Sequence, residues 1–187
     1  SDLEIVNRMT AGSMAGELSG LLNSAARGTY RAVSRVKALR IPCGMYIEFL
    51  KRNGLYDDLK KDINRRRFLQ STWLFGELLS CPLKSRLTKF MDYVTVPAGE
   101  APPDGDNPRL FIVENGALEV LHAGRKVETI GPSGFFGEEK IVKNGPIALQ
   151  ARALEETRGY TIPADALSEI PIVQWKLLET LERRLKE

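Results

Sequence analysis

The sequence predicts an α+β protein in which an antiparallel β region is flanked by helices. Three observations carry that expectation. From Asp92 onward, DYVTVPAGEAPPDGDNPRLFIVENGALEVLHAGRKVETIG strings short β-branched or aromatic runs between the turn-rich segments PAGE, PPDGDNP, ENG and HAG. On either side, residues 43–91 and 167–187 carry apolar side chains at three- and four-residue steps, the helical period. The first and last thirds of the chain also align without gaps at a single offset of 121 residues, which carries Gly16 to Gly137 and Pro42 to Pro163.

Taken in order, LEIVNRM (3–9) reads as a strand, Thr10 to Ser13 as a turn, and Gly16-Glu17-Leu18 opens a short apolar helix through Leu22. TYRAVSRVKALRIP alternates well enough for a strand closed by Pro42. Helix follows over MYIEFLKRNGLYDDLKKDINRRRFL, interrupted near Asn53-Gly54, with further helical pieces to residue 91 and Pro82 in the first turn of the last. Asn115-Gly116, between LFIVE and ALEVL, predicts a hairpin. The chain ends in LSEIPIVQWKLLETLERRLKE, where Val173, Leu177, Leu181 and Leu185 form one stripe with Leu178 at its edge and Trp175 off it.

Composition narrows the chemistry. With 27 Lys plus Arg against 24 Asp plus Glu, the net charge of +3 makes no case for nucleic acid, and the basic run Asn64–Arg67 reads as a solvated helix face. The two cysteines, Cys43 and Cys81, have no CxxC spacing and are expected as buried free thiols in a reducing compartment. A single histidine, His122, leaves neither a multi-histidine metal site nor a Ser/His/Asp relay easy to build, so no enzyme activity and no metal are expected. No apolar run reaches a membrane span and SDLEIVNRM lacks a signal-peptide pattern, so the expected location is cytoplasmic.

The 121-residue offset deserves its residues. Gly16, Glu17, Asn23, Arg31, Ala32, Ile41 and Pro42 meet Gly137, Glu138, Asn144, Arg152, Ala153, Ile162 and Pro163, seven identities in 27 positions. Two copies of one unit are therefore expected, the first represented only by its later part. The expected divisions are 1–50 for that part, 51–70 for a helical connector and 71–187 for the complete copy. In the second copy a strand-like run, the turn Gly131-Pro-Ser-Gly134, an aromatic pair and Gly137-Glu138 opening a helix would place backbone N–H groups around an anion.

VPAGE (96–100), DGD (104–106), LFIVENGALEV (110–120), IGPSGFFGEE (130–139) and ARALEETRGYTIP (151–163) together resemble the cyclic-nucleotide-binding domain family, of the catabolite-activator and kinase-regulatory-subunit type. The resemblance implies an eight-stranded, jelly-roll-like β-roll flanked by helices, with a phosphate-binding cassette at 136–153. It implies a regulatory or sensor function with cAMP or cGMP as ligand and no other cofactor. In such cassettes Gly-Glu presents N–H groups to the cyclic phosphate and the glutamate accepts the ribose 2′-hydroxyl. The implied ligand residues are Phe136, Gly137, Glu138, Glu139, Ile147, Ala148, Arg152 and the terminal-helix Trp175, with Gly16, Glu17 and Arg27 in the first copy.

The family also places an arginine about ten residues after the cassette glycine. This chain has Ile147 there, in NGPIALQA, and Ala26 followed by Arg27 in the first copy. That substitution sets a second reading beside the first: a non-binding roll kept as a protein-interaction or dimerisation scaffold. Expected partners are a cyclic nucleotide and an unidentified effector domain or protein, with a homodimer compatible, and neither DNA nor membrane.

Overall fold

The structure, a computed structural model, describes residues 8–26, 28–76, 78–103, 107–143 and 148–186. It divides into two units, Ser1–Ile63 and Asn64–Glu187, each taken by itself.

In the first unit, α1 (Glu17–Leu22) follows Gly16, which takes a left-handed conformation at φ 85°, ψ 3°. Helix α2 (Cys43–Arg52) starts directly after the extended Pro42, and α3 (Tyr56–Ser71) begins in this unit. The break expected at Asn53-Gly54 is present. The Asn53 side-chain amide donates to the Phe49 carbonyl at 2.7 Å, and the Leu55 N–H bonds the Leu50 carbonyl at 2.9 Å, so the end of α2 is satisfied locally. Leu21, Leu50 and Ile63 form a small core, with Leu22, Tyr46, Tyr56 and Leu59 packed around it.

Two expectations for this unit are corrected. Residues 29–41, which alternate like a strand, form none: they have no regular secondary structure, bend at 33–34 and have no ladder partner among the described residues. Alternation fixes which side chains share a face, but a strand exists only when a neighbour takes up its N–H and C=O groups. Cys43 is exposed rather than buried, its thiol donating to the Gly20 carbonyl at 3.1 Å. The strand read at 3–9 lies outside the described residues up to Asn7.

The second unit takes in the rest of α3 and then α4 (Cys81–Leu87), with Pro82 in its first turn as expected. Strands β1 (Asp92–Val96), β2 (Arg109–Asn115), β3 (Leu118–His122), β4 (Arg125–Ile130) and β5 (Phe135–Phe136) lead to α5 (Glu138–Val142). Then come β6 (Leu149–Ala153), β7 (Thr157–Pro163), α6 (Ala164–Ser168) and α7 (Pro171–Lys186). The seven strands among the described residues form two antiparallel sheets, ordered β1-β7-β2-β5 and β4-β3-β6.

The uninterrupted apolar run of β2 is explained by burial on both faces. Leu110 and Ile112 pack with Leu69, Phe75, Leu87, Ile162, Val173 and Leu177. Phe111 and Val113 pack with Val96, Leu118, Val120, Ile130, Leu149 and Leu181. Asn115-Gly116 turns the chain but makes no hairpin, because β2 pairs with β5 and β7 whereas β3 pairs with β4 and β6. The turn instead hands the chain from one sheet to the other. Gly116 sits at φ 92°, and a Cβ there would lie 2.8 Å from the Thr157 Cα, so the crossing leaves no room for a side chain. The hairpin proper joins β3 to β4 through Ala123-Gly124, pairing His122 with Arg125.

The C-terminal helical stretch is two helices because Pro171 has no N–H to continue a helix but suits the first turn of a new one. On α7, Val173, Leu177 and Leu181 are buried, Leu185 is half-buried, and Leu178 and Trp175 are exposed, matching the wheel read from sequence. No helix among the described residues is long and apolar enough to cross a membrane.

Candidate functional site

The site is built where β5 runs into α5. Gly137 makes the turn at φ 103°, ψ 4°, and a Cβ there would stand 2.4 Å from the Arg109 carbonyl oxygen of β2, so the backbone approaches the sheet more closely than any side chain allows. The next residue, Glu138, is thereby driven inward and has no exposed surface. One of its carboxylate oxygens, Oε1, accepts a hydrogen bond from Arg184 Nη1 of α7 at 2.6 Å. The other, Oε2, is buried with no hydrogen-bond partner among the described residues.

Arg184, itself buried, ties three elements together. Its Nε donates to Glu128 Oε2 of β4 at 2.7 Å, its Nη2 donates to the Phe135 carbonyl of β5 at 3.1 Å, and its guanidinium lies 5.6 Å from the Phe135 ring centroid. Burial pushes the Glu138 carboxyl above its ordinary value despite the opposing pull of Arg184. For Glu128 burial also pushes upward, but Arg184 and Arg183 outweigh it and hold the carboxyl below its ordinary value. Neither Arg184 nor Glu128 was singled out from sequence. A signal for Arg184 existed: it falls three residues after Leu181, on the continuation of the buried stripe of α7, where a charged side chain needs a partner.

The remaining predicted residues divide by location. Glu139, also buried, accepts the backbone N–H groups of Ala148 at 2.9 Å and Leu149 at 2.8 Å through Oε2, with Lys143 Nζ 3.5 Å from Oε1. It thus clamps the start of β6 to α5. Ala148 and Phe136 are half-buried, Phe136 packing against the cluster between the sheets. Arg152 points outward from β6 and pairs with Glu119 of β3, while Ala151 and Ala153 of the same strand face inward. Trp175 is 59 % exposed. Gly16 is exposed and Glu17 half-buried, both in the first unit, and Arg27 and Ile147 lie outside the described residues.

A cavity of about 580 Å³ adjoins this network, lined by Trp73, Glu128, the turn Gly131–Phe135, Glu179, Thr180, Arg183 and Arg184. Arg184 forms part of its wall. Among the described residues no group of three His, Cys, Asp or Glu side chains could hold a metal ion. Glu138 itself has no exposed surface and does not line the cavity; Arg184, which does, holds one of its carboxylate oxygens.

Comparison with known proteins is consistent with this geometry. Residues 103–171 match the family model of the cyclic nucleotide-binding domain. A CRP-like cAMP-activated global transcriptional regulator from two strains of Mycobacterium tuberculosis is 32% identical over 111 residues, covering 54% of this chain and 50% of the relative. The chain thus spans about half the length of the curated relatives it matches. Among solved structures, cAMP-bound PfPKA-R superposes with a TM-score of 0.62 at 16% identity, over 74% of this chain and 50% of that one. The guanosine-bound regulatory subunit of a cAMP-independent protein kinase A from Trypanosoma cruzi gives 0.55 at 20% identity, over 67% and 51%. The antiparallel sheets and flanking helices around residues 103–171 thus have the β-roll fold of these solved structures, as the sequence led one to expect.

Proposed function

We propose that the second unit is a ligand-responsive regulatory module and that its ligand is an uncharged ribonucleoside, with a ribose hydroxyl donating to Glu138. The observation that carries this reading is Oε2 of Glu138, a buried acceptor with no hydrogen-bond partner among the described residues. The charge inventory favours a nucleoside over a cyclic nucleotide. The cassette has Ile147 at the arginine position, and the cations around it are engaged: Arg152 with Glu119, Lys143 with Glu139 and Arg184 with Glu138 and Glu128. Lys140 also has a partner. A phosphodiester buried there would lack a charge-assisted bond. The guanosine-bound relative, described as cAMP-independent, has the same fold.

Ligand entry would alter the contacts of Arg184 and thereby the seating of α7 on the roll, which is the route to an effector. Calorimetric titration with guanosine, adenosine, cAMP and cGMP tests the proposal. The expected result is at least one nucleoside bound tenfold or more tightly than either cyclic nucleotide, with binding abolished by Glu138→Ala. Tighter binding of cAMP or cGMP would restore the charged ligand, and no heat with any of the four would leave the scaffold reading.

We also infer that residues 16–42 are a partial second copy of 137–163. Beyond the sequence identities, Gly16 and Gly137 share left-handed backbone angles, each precedes a short helix, the chain bends at 33–34 as at 154–155, and a new helix starts directly after Pro42 as after Pro163.

A further inference from the structure

The cavity between α7 and the turn Gly131–Phe135, about 580 Å³, has room for a small organic molecule, and Glu138 does not line it. Its turn wall is held in place. The Gly134 N–H bonds the Gly131 carbonyl at 3.0 Å, and the Ser133 N–H bonds the Val113 carbonyl of β2 at 2.8 Å. Trp73 is fixed as well, its ring parallel to that of Phe135 within 6° and its carbonyl taking a hydrogen bond from Lys176 Nζ at 2.8 Å. Together with Ile130 and Pro132, these two rings give the cavity apolar walls that are in position before anything binds.

The α7 wall is polar and incompletely satisfied. Thr180 is 6 % exposed, yet its hydroxyl makes no hydrogen bond among the described residues. A hydroxyl withdrawn that far from water normally has a partner. Glu179, beside it, has no ion pair among the described residues. Arg183 follows Glu179 by one helical turn, the favourable order for a pair, but donates instead to Glu128 at 3.1 Å. Arg184 is taken by Glu128 and Glu138. The guanidiniums of Arg183 and Arg184 are thus matched by the carboxylates of Glu128 and Glu138, and the charge left over on the lining is the negative one of Glu179.

We propose that this cavity binds a small organic ammonium ion, its apolar or aromatic body against Trp73 and Pro132 and its N–H groups donating to the Thr180 hydroxyl and the Glu179 carboxylate. This is a site separate from Glu138 and does not rest on the nucleoside reading. An ammonium carries donors alone, so it serves both acceptors at once, whereas an anionic ligand would meet the unmatched carboxylate of Glu179.

The test titrates the isotope-labelled chain with phenethylamine, with phenethyl alcohol, which lacks the charge, and with hydrocinnamate, which reverses it, and follows backbone and indole N–H shifts. Saturable movement of the Trp73 indole and of the Gly131, Ser133 and Gly134 amides is expected with phenethylamine. The alcohol should bind roughly threefold or more weakly, as suits an ion pair at an exposed carboxylate, and hydrocinnamate should move none of these signals. Thr180→Val, which removes the hydroxyl at nearly constant shape, should weaken the amine about tenfold. Glu179→Gln should abolish the preference for the amine over the alcohol. Should Thr180→Val not fold, the exposed Glu179→Gln and the three probes on the unmodified chain decide the outcome. No movement at these positions with millimolar phenethylamine overturns the site. Equal binding of the three probes overturns the ammonium assignment, and amine binding that neither substitution changes overturns the roles of Thr180 and Glu179.

Discussion

Replacing Arg184 with alanine is expected to destabilise the second unit by about 3–5 kcal/mol, the usual cost of leaving a buried charge without its partner. The substitution strips Glu138 of the arginine that donates to its Oε1 and removes a strong bond from Glu128. Its pH dependence identifies the cause. Without Arg184 the Glu138 carboxyl, already raised by burial, rises further, so the folded state holds a proton that the unfolded chain has released. Where the folded state binds more protons, stability falls as pH rises. The lowered Glu128 adds to this: its pairing stabilises the wild type above the ordinary carboxylate value and is lost as pH falls through its folded value. The deficit of Arg184→Ala relative to wild type should therefore be greatest near neutral pH and shrink towards pH ~4.5. Adding Glu138→Gln should recover much of it at neutral pH, because a neutral amide needs no counter-charge. Urea unfolding at the two pH values measures both effects. A small, pH-independent deficit would mean that the guanidinium is solvated rather than buried.

Gly137→Ala is expected to cost about 4 kcal/mol, from roughly 1–3 kcal/mol of left-handed backbone strain and roughly 1–3 kcal/mol of overpacking. The obstructing atom is the backbone carbonyl of Arg109, the first residue of β2, paired with Pro163 of β7, and backbone cannot rotate away as a side chain could. The identical change at Gly16 gives the contrast. Gly16 has the same sign of φ, yet a Cβ there meets nothing within 4 Å, so only the strain remains. Thermal unfolding of the two variants should separate them clearly. Equal destabilisation would show that the close approach to β2 does not determine the position of α5.

Much of the fold is legible in the sequence because its signals are local. The helix break at Asn53-Gly54, the helix start at Pro82 and the buried stripe of α7 each depend on residues within one or two turns. What local reading misses is long-range. Asn115-Gly116 has the composition of a hairpin, but which sheet β3 joins is decided by β6, over thirty residues away. Residues 29–41 have the pattern of a strand without the neighbours that would make one.

The same division holds at the site. Gly137 and Glu138 can be found from sequence, since a glycine followed by an acidic helix start is a local arrangement. Their partner Arg184 comes from another element 46 residues later and is identified by contact rather than spacing. Glu139 is the instructive neighbour. Sequence places it beside Glu138 as a ligand candidate, but the helical step of about 100° turns it towards the backbone of Ala148 and Leu149, where it serves the architecture.

The central claim is that the free oxygen of Glu138 receives a ribose hydroxyl. The most direct measurement is the affinity of whichever nucleoside binds, compared with its 2′-deoxy form, in wild type and in Glu138→Ala. A hydroxyl donating to a buried carboxylate contributes about 1.5–3 kcal/mol, so the 2′-deoxy ligand should bind roughly 10- to 100-fold more weakly to wild type. In Glu138→Ala that difference should vanish. Equal affinity of wild type for the two ligands would contradict the assignment.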